Sequence, residues 1–192
     1  GHAVTLAERL VRGLEEAHHV LGRGERARRV ILLRHRRSPY GHDAVADERV
    51  HLVVAGDGPY LDTLAAEVAA RELTRRVHLL GKVPRAEVAA LLLAADVFLM
   101  PSEEEGSPHA LIEAMAYGVP FVAYAVGGVA ETATPLLADG VVPAGDVAAA
   151  AAVLRQLLTD AAAADFSARA GIAVQRYEKT RITEEFYQLL TH

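Results

Sequence analysis

Between Val50 and Tyr124 the sequence alternates short β-branched runs with amphipathic stretches of helical length. The runs VHLVVAG, RVHLLG, VFLMP and PFVAY are separated by YLDTLAAEVAAREL, PRAEVAALLLAAD and PHALIEAMAYG. Strands that alternate with such helices are typical of βαβ units, in which helices cover both faces of a parallel sheet. The alternation therefore predicts an α/β fold, a Rossmann-like three-layer α/β/α arrangement with a parallel sheet.

The segments before this region are less regular. Residues 4–21 repeat apolar side chains at spacings of three and four, which predicts an amphipathic helix. Residues 22–49 are rich in Gly, Arg and Asp and predict an irregular loop or insertion, with a short strand at RVILL. Gly1-His2 reads as a possible tag remnant, so residues 3–192 are interpreted as one domain.

The segments after Tyr124 predict a helical C-terminal tail. A short stretch, GVVPAGD, precedes helices expected near 146–159, 162–176 and 180–190. The alanine enrichment there agrees with the high helix propensity of alanine. No repeat or low-complexity linker divides the chain.

Composition excludes several classes of function. The net charge of −5 gives no overall attraction to nucleic acid, and the absence of cysteine excludes disulfides and cysteine-ligated metals. The longest apolar run, AALLLAADVFLM, is too short to span a bilayer and contains Asp96. We therefore expect a cytoplasmic domain without a transmembrane segment or a nucleic-acid partner.

Four loops should converge at one edge of the predicted sheet. In parallel sheets, ligands bind beyond the carboxyl ends of the strands. The loops at that edge are 56–59, 81–84, 101–108 and 126–128. The candidate ligand site lies there.

Ser107 and Pro108 form a helix-start pattern within this edge. Serine caps unpaired amides, and proline is tolerated in the first turn because its missing N–H would be unpaired there. The amides of His109, Ala110 and Leu111 should then point outward at the positive end of the helix dipole. This arrangement predicts a site for a phosphate-sized anion, although an ordinary capped core helix fits the same pattern.

Two glutamates flank this helix start. Glu113 lies four residues after His109, so both should share one helix face. Glu113 stands among apolar residues with no obvious protein partner beside it, and a buried carboxylate needs hydrogen-bond donors. Ribose hydroxyls would supply them. Glu105 precedes the helix and would lie near whatever is attached to the phosphate, whereas Glu103 and Glu104 fit a solvated acidic turn.

The chain resembles the C-terminal, donor-binding domain of retaining GT-B enzymes of glycosyltransferase family 4. The resemblance lies in an ordered series of segments: HLVVAGDGP, then the stretch from VHLLGKVPRAEVAALLLAADVFLMP through EGSPHALIEAMAYGVPFVAYAVGG to VVPAGD, and finally RYEKTRITEEFYQLL. The resemblance covers roughly residues 50 to 190 and centres on a pair of glutamates, Glu105 and Glu113. It implies that the chain is one half of a GT-B fold. The N-terminal acceptor domain would lie outside this sequence, in cis or on a partner chain.

The resemblance also implies roles for individual residues. Glu105 would be the catalytic residue beside the donor sugar, and Glu113 would hold the ribose. The loop Gly81-Lys82-Val83 would receive the nucleobase through backbone groups. The remaining donor-binding residues by resemblance are Gly56, Gly58, Gly106, Ser107, Pro108, His109, Ala110 and Leu111, and Gly127 and Gly128 would permit close approach. The ligand would be a nucleotide-diphosphate sugar, and no cofactor or metal is expected because the chain contains no Asp-x-Asp motif.

The chain departs from the family pattern at several positions. The sequence lacks the Gly-Arg and Lys-Gly pattern that supplies the diphosphate-binding cations in the family. The cations that it offers instead are Arg34, His35, Arg36, Arg37 and Lys82. Pro108 stands where many members have glycine. His109 stands where they often have an apolar residue or asparagine.

Three alternatives to a glycosyltransferase donor domain remain open. A nucleotide-sugar epimerase could use the same architecture with acid and base groups from another domain. A non-catalytic binding or assembly module could keep the fold, although retention of both glutamates argues against it. A dinucleotide-dependent oxidoreductase is disfavoured because the loop after VHLVVAG lacks the third glycine of the fingerprint.

Overall fold

The computed structural model describes residues 29–34, 50–57 and 61–177. The strands are β1 (Arg29–Arg34), β2 (Val50–Ala55), β3 (Val77–Gly81), β4 (Val97–Met100), β5 (Phe121–Tyr124) and β6 (Val141–Val142). The helices are α1 (Leu61–Ala70), α2 (Arg85–Ala94), α3 (His109–Ala116), α4 (Val129–Ala133), α5 (Val147–Leu157) and α6 (Asp160–Val174), with 3₁₀ turns at Pro135–Gly140 and Gln175–Tyr177. The helices predicted at 4–21 and 180–190 lie outside the described residues.

The α/β fold is confirmed, and each strand and helix predicted between Val50 and Tyr124 is present. The strands form one sheet in the order β3-β2-β1-β4-β5-β6. The pairs β2–β3, β4–β5 and β5–β6 are parallel. Connections between parallel strands are nearly always right-handed, and with this strand order the rule predicts that α1 and α3 lie on opposite faces of the sheet.

The expectation of a parallel sheet is wrong for one strand. The central strand β1 runs antiparallel to both β2 and β4. A parallel β1–β2 pair would need a crossover connection, usually a helix. Residues 35–49, which join the two strands, carry no apolar repeat of helical period. The antiparallel pairing of β1 and β2 agrees with this lack of a helical pattern.

The core lies around β4 and β5, whose residues are all buried. Continuous burial along a strand means that both sheet faces are covered. On β5, the ring of Phe121 meets Phe166 of α6 edge to face, with 5.0 Å between the ring centroids. This packing fixes α6 against β4, β5 and the helix α3 that connects them.

Helix α3 ends in a glycine turn that returns the chain to the sheet. Gly118 has φ of 68°, and its N–H donates to the carbonyl of Met115 at 3.0 Å. The N–H of Val119 donates to the carbonyl of Ala114 at 2.9 Å. These two bonds form a Schellman motif, which needs the left-handed conformation that glycine adopts without strain. The motif fixes the length of α3 and leads directly into β5.

Candidate donor-binding site

The start of α3 differs from the predicted serine cap. The helix begins at His109, and the residue at its cap position is Pro108, with φ of −80° and ψ of 69° and no side-chain capping hydrogen bond. These angles are those of an inverse γ-turn, and the His109 N–H donates to the Ser107 carbonyl at 2.9 Å to close it. The ring of proline fixes φ near the value that this turn needs. Ser107 therefore contributes its carbonyl and leaves its hydroxyl exposed.

The predicted set of three free amides is also wrong. The His109 N–H is used in the γ-turn, and the Leu111 N–H donates to the Pro108 carbonyl at 2.9 Å. Ala110 is the member of the set for which no hydrogen bond is found within the part of the chain that the structure describes. The side chains of Pro108, Ala110 and Leu111 are buried, so these residues can reach a ligand through backbone atoms alone.

The loop that carries Glu105 is fixed by the turn after β5. Gly127 has φ of 47°, and a Cβ at this position would lie 1.6 Å from the carbonyl oxygen of Glu105. A Cβ on Gly128 would lie 2.6 Å from the carbonyl oxygen of Gly106. The Gly128 N–H donates to the Glu105 carbonyl at 3.1 Å. The two glycines therefore hold the 105–106 backbone by direct chain-to-chain contact.

A cavity of about 470 Å³ lies where β2 and β3 end and α3 begins. Its volume is in the range of small-molecule binding sites, roughly 300 to 1,000 Å³. The lining residues are Ala55, Gly56, Asp57, Lys82, Val83, Arg85, Val88, His109 and Glu113. The position agrees with the expected crevice at the carboxyl edge of the sheet.

Five of the predicted site residues line this cavity, namely Gly56, Lys82, Val83, His109 and Glu113. The others that the structure describes do not line it, and they are Glu105, Gly106, Ser107, Pro108, Ala110 and Leu111. Gly58 lies outside the described residues. His109 and Glu113 share the cavity as their spacing of four along one helix predicts.

Glu113 has a protein partner that sequence analysis missed. Its Oε1 lies 3.7 Å from Nη2 of Arg85, and its side chain is 28% exposed, so the carboxylate is neither fully buried nor isolated. Arg85 opens α2 directly after the loop that follows β3. The position of this cation at the carboxyl edge of the sheet was the one sequence feature that could have indicated a partner for Glu113. The separation of the two residues along the chain kept it out of any local pattern.

His109 has a defined orientation in the cavity. Its Nδ1 lies 3.1 Å from the carbonyl oxygen of Ser107. A carbonyl oxygen can only accept, so Nδ1 carries the proton in this contact. Nε2 is then an acceptor when the ring is neutral and a donor when the ring is protonated. The ring can therefore present either kind of hydrogen-bonding atom to a ligand.

Within the part of the chain that the structure describes, no group of three or more His, Asp or Glu side chains comes together in a way that could hold a metal ion.

Outside the cavity, His51 of β2 and His78 of β3 form a pair, with 3.0 Å between Nδ1 and Nε2. Their rings are separated by 5.3 Å and inclined by 19°. This pair links two neighbouring strands.

The fold is Rossmann-like, and its cavity lies at the carboxyl edge of the sheet. The family model described as glycosyl transferases group 1 matches residues 42–173. The chain belongs to this family. The predicted family is thereby confirmed.

Two curated relatives illustrate the similarity. The chain is 37% identical over 119 residues to 2-deoxystreptamine glucosyltransferase of Streptomyces kanamyceticus, covering 62% of this chain and 31% of that protein. It is 32% identical over 153 residues to glycogen synthase of Mycobacterium tuberculosis, covering 76% of this chain and 35% of that protein. The chain thus spans about a third of the length of these relatives.

Solved structures share the fold. HepE of Anabaena in complex with UDP-glucose is 25% identical, with a TM-score of 0.65, and the match covers 76% of this chain and 42% of HepE. Sucrose-phosphate synthase from Thermosynechococcus elongatus is 24% identical, with a TM-score of 0.66, and the match covers 98% of this chain and 42% of that one. These likenesses confirm the fold of a GT-B glycosyltransferase domain.

In the described part of the chain, no single helix has both the length and the apolar character needed to cross a bilayer. The pair 147–157 and 161–177 meets the criterion only when the two segments are joined across a bend of 98°. Both segments carry residues that are buried in the core, including Leu154 and Phe166. Burial of this kind is expected of core helices.

Proposed function

We propose that this chain is the donor-binding half of a retaining, metal-independent glycosyltransferase. It binds a nucleotide-diphosphate sugar, and a second domain, in cis or on a partner chain, holds the acceptor. The group transferred is of the hexosyl type, and the domain works in the cytoplasm. Membership of the glycosyl transferases group 1 family supports the proposal at its coarsest level. UDP-glucose bound to HepE supports the class of donor.

The cavity is the observation that carries the proposal. It combines a carboxylate that can accept ribose hydroxyls, a loop at Lys82 and Val83 that can receive a base, and an imidazole at the start of α3. A carboxylate can accept hydrogen bonds from both hydroxyls of a ribose, and hydrogen bonds to a charged group are the stronger ones. The cavity chemistry therefore suits a nucleoside better than an apolar ligand.

The diphosphate leaving group is the second part of the proposal. In glycosyl transfer the departing diphosphate gains negative charge, and fixed donors that stabilise this charge lower the barrier. The Ala110 amide at the start of α3, together with the cations of the cavity, supplies donors without a metal ion. The absence of an Asp-x-Asp motif agrees with this mode of activation. Glu105, held beside the helix start by the two glycines, would act on the sugar.

Calorimetric titration of the full chain tests the proposal. UDP, GDP and ADP would be titrated separately, each in the presence of Mg²⁺ and again in the presence of EDTA. We expect one of the three to bind, with the same affinity in both buffers. Failure of all three to bind would favour a non-catalytic module that keeps only the fold. An affinity that depends on Mg²⁺ would contradict metal-independent binding.

A further inference from the structure

Arg85 and Glu113 both line the cavity and form an ion pair. Arg85 belongs to the first turn of α2, whereas Glu113 belongs to α3, and the two charged groups approach to 3.7 Å. The Arg85 side chain is 92% exposed, and the Glu113 side chain is 28% exposed. An ion pair with so exposed a partner is screened by water and contributes little to stability. Separating the pair when a ligand binds therefore costs little free energy.

The charges of the cavity lining are balanced when the site is empty. Asp57 and Glu113 carry two negative charges, and Lys82 and Arg85 carry two positive charges, while a neutral His109 adds none. A nucleoside diphosphate brings further negative charge, so a favourable site needs a cation that is not committed to a protein carboxylate. Ribose hydroxyls that bind Glu113 would compete with Arg85 for the same oxygens. A ribose bound to Glu113 would thus free the Arg85 guanidinium for another anion at the same cavity.

We propose that Arg85 exchanges partners on donor binding, leaving Glu113 and binding the diphosphate. The inference rests on the proposed function, because it assigns the cation for the diphosphate of that same donor. A planar guanidinium matches phosphate oxygens with two parallel hydrogen bonds, which the point charge of Lys82 cannot provide. Arg85 is thereby a specificity residue that couples recognition of the ribose to recognition of the diphosphate.

The exchange predicts opposite effects on two ligands. In Arg85→Ala, UDP loses the guanidinium, so its affinity should fall by about tenfold, which corresponds to one charge-assisted contact at a partly exposed site. Uridine has no phosphate and meets a Glu113 whose competitor has been removed. Its affinity should stay the same or rise. A residue that merely orients Glu113 would weaken both ligands alike.

The experiment titrates wild type, Arg85→Ala and the control Arg75→Ala with uridine and with UDP, by NMR or calorimetry on the full chain. Arg75 is an exposed arginine between α1 and β3 that does not line the cavity, so its removal should change neither affinity. The dependence of UDP affinity on salt should also be weaker in Arg85→Ala, because one screened charge pair is lost. Thermal melting should show that all three proteins are folded.

Two results would overturn the exchange while leaving the proposed function intact. One is an equal loss of uridine and UDP affinity in Arg85→Ala, which would make Arg85 a positioning residue for Glu113. The other is no change for UDP, which would assign the diphosphate to other groups. Failure of the wild type to bind UDP, GDP and ADP alike would instead overturn the proposed function, and this proposal with it.

Discussion

The backbone at Gly127 lies against the carbonyl oxygen of Glu105 so closely that a Cβ at Gly127 would stand 1.6 Å from that oxygen. No side chain can occupy this space unless one of the two loops moves. The residue proposed to act on the sugar is therefore held by backbone contact with the turn after β5. The contact couples the position of Glu105 to the conformation of the turn after β5.

Gly127→Ala should be strongly destabilising. Alanine would meet both the positive φ of 47° and the clash with the Glu105 backbone. We expect a loss of about 3 kcal/mol or more in the free energy of unfolding, the sum of left-handed strain and overpacking. Chemical denaturation measures it. Gly145→Ala is the matched control, because Gly145 has φ of 77° but no atom within 4 Å of the added Cβ. It should lose only about 1 kcal/mol. Equal losses would show that the clash is relieved at no cost.

The Asp139–Arg169 pair should make stability depend on acid pH. Arg169 donates Nη1 and Nη2 to the two carboxylate oxygens of Asp139, at 2.8 and 2.7 Å. This side-chain hydrogen bonding lowers the pKa of Asp139 below its ordinary value. Because the folded pKa is depressed, the stabilisation is present at pH above the unfolded value, near 3.9, and is lost as pH falls through the folded value.

Asp139→Asn should therefore lower stability by about 1 kcal/mol at neutral pH and by less below pH 3, since Asp139 is half exposed in the wild type. Urea unfolding at pH 7 and at pH 3 measures both values. Asp165→Asn is the control, because Asp165 meets Arg169 through Nε at 3.0 Å and is 69% exposed. Its effect should be smaller at both pH values. A loss that is the same at pH 3 and pH 7 would contradict the role of the Asp139 charge.

Glu113→Ala should separate ligand binding from stability. If its carboxylate holds the ribose, the substitution should reduce nucleotide affinity by about 1.5–3 kcal/mol, the range for hydrogen bonds to a charged group. Stability should be unchanged or raised, because the ion pair between Glu113 and the exposed Arg85 contributes little to folding. Calorimetry with UDP and thermal unfolding measure the two effects. Unfolding at a much lower temperature with affinity preserved would make Glu113 a structural residue.

Most strands of the sheet could be predicted because the apolar pattern of each strand lies within its own few residues. The runs that became β4 and β5 are continuous and apolar, which is the pattern of strands buried on both faces. The direction of β1 was not predictable in the same way. It depends on how residues 35–49 reconnect the chain, and a six-residue strand has the same pattern in either direction. Helix α4 was missed because its five residues are too few to show a helical period.

The site was predictable where it depends on spacing within one element. His109 and Glu113 share a cavity because residues four apart on a helix share a face. The prediction that Ser107 caps the helix was wrong because capping depends on the backbone dihedral angles at the helix start. At Pro108 these angles close a γ-turn that delays the helix by one residue. The contact between Arg85 and Glu113 was not predicted for a different reason. It joins two helices, so no local sequence pattern indicates it.

In the two-domain enzyme that we propose, Glu105→Gln should lower kcat far more than it raises the donor KM. Glu105 precedes the helix start, and its backbone is held by Gly127 and Gly128. We infer that its carboxylate orients a sugar hydroxyl or stabilises the positive charge that develops at the anomeric carbon as the diphosphate leaves. The interaction strengthens in the transition state, so its removal acts on kcat. We expect a decrease on the order of 10²-fold or more, measured by steady-state kinetics with varied donor.

Glu104→Gln is the matched control for this prediction. Glu104 is the adjacent acid and is exposed, whereas Glu105 is only partly exposed. Neutralising Glu104 removes the same charge at nearly the same distance from the helix start, so it reports the general electrostatic effect of the acidic loop. If kcat falls equally in the two variants, the loss comes from that general field and Glu105 has no specific role. If Glu105→Gln raises the donor KM and leaves kcat unchanged, Glu105 binds the ground state and does not act in the transition state.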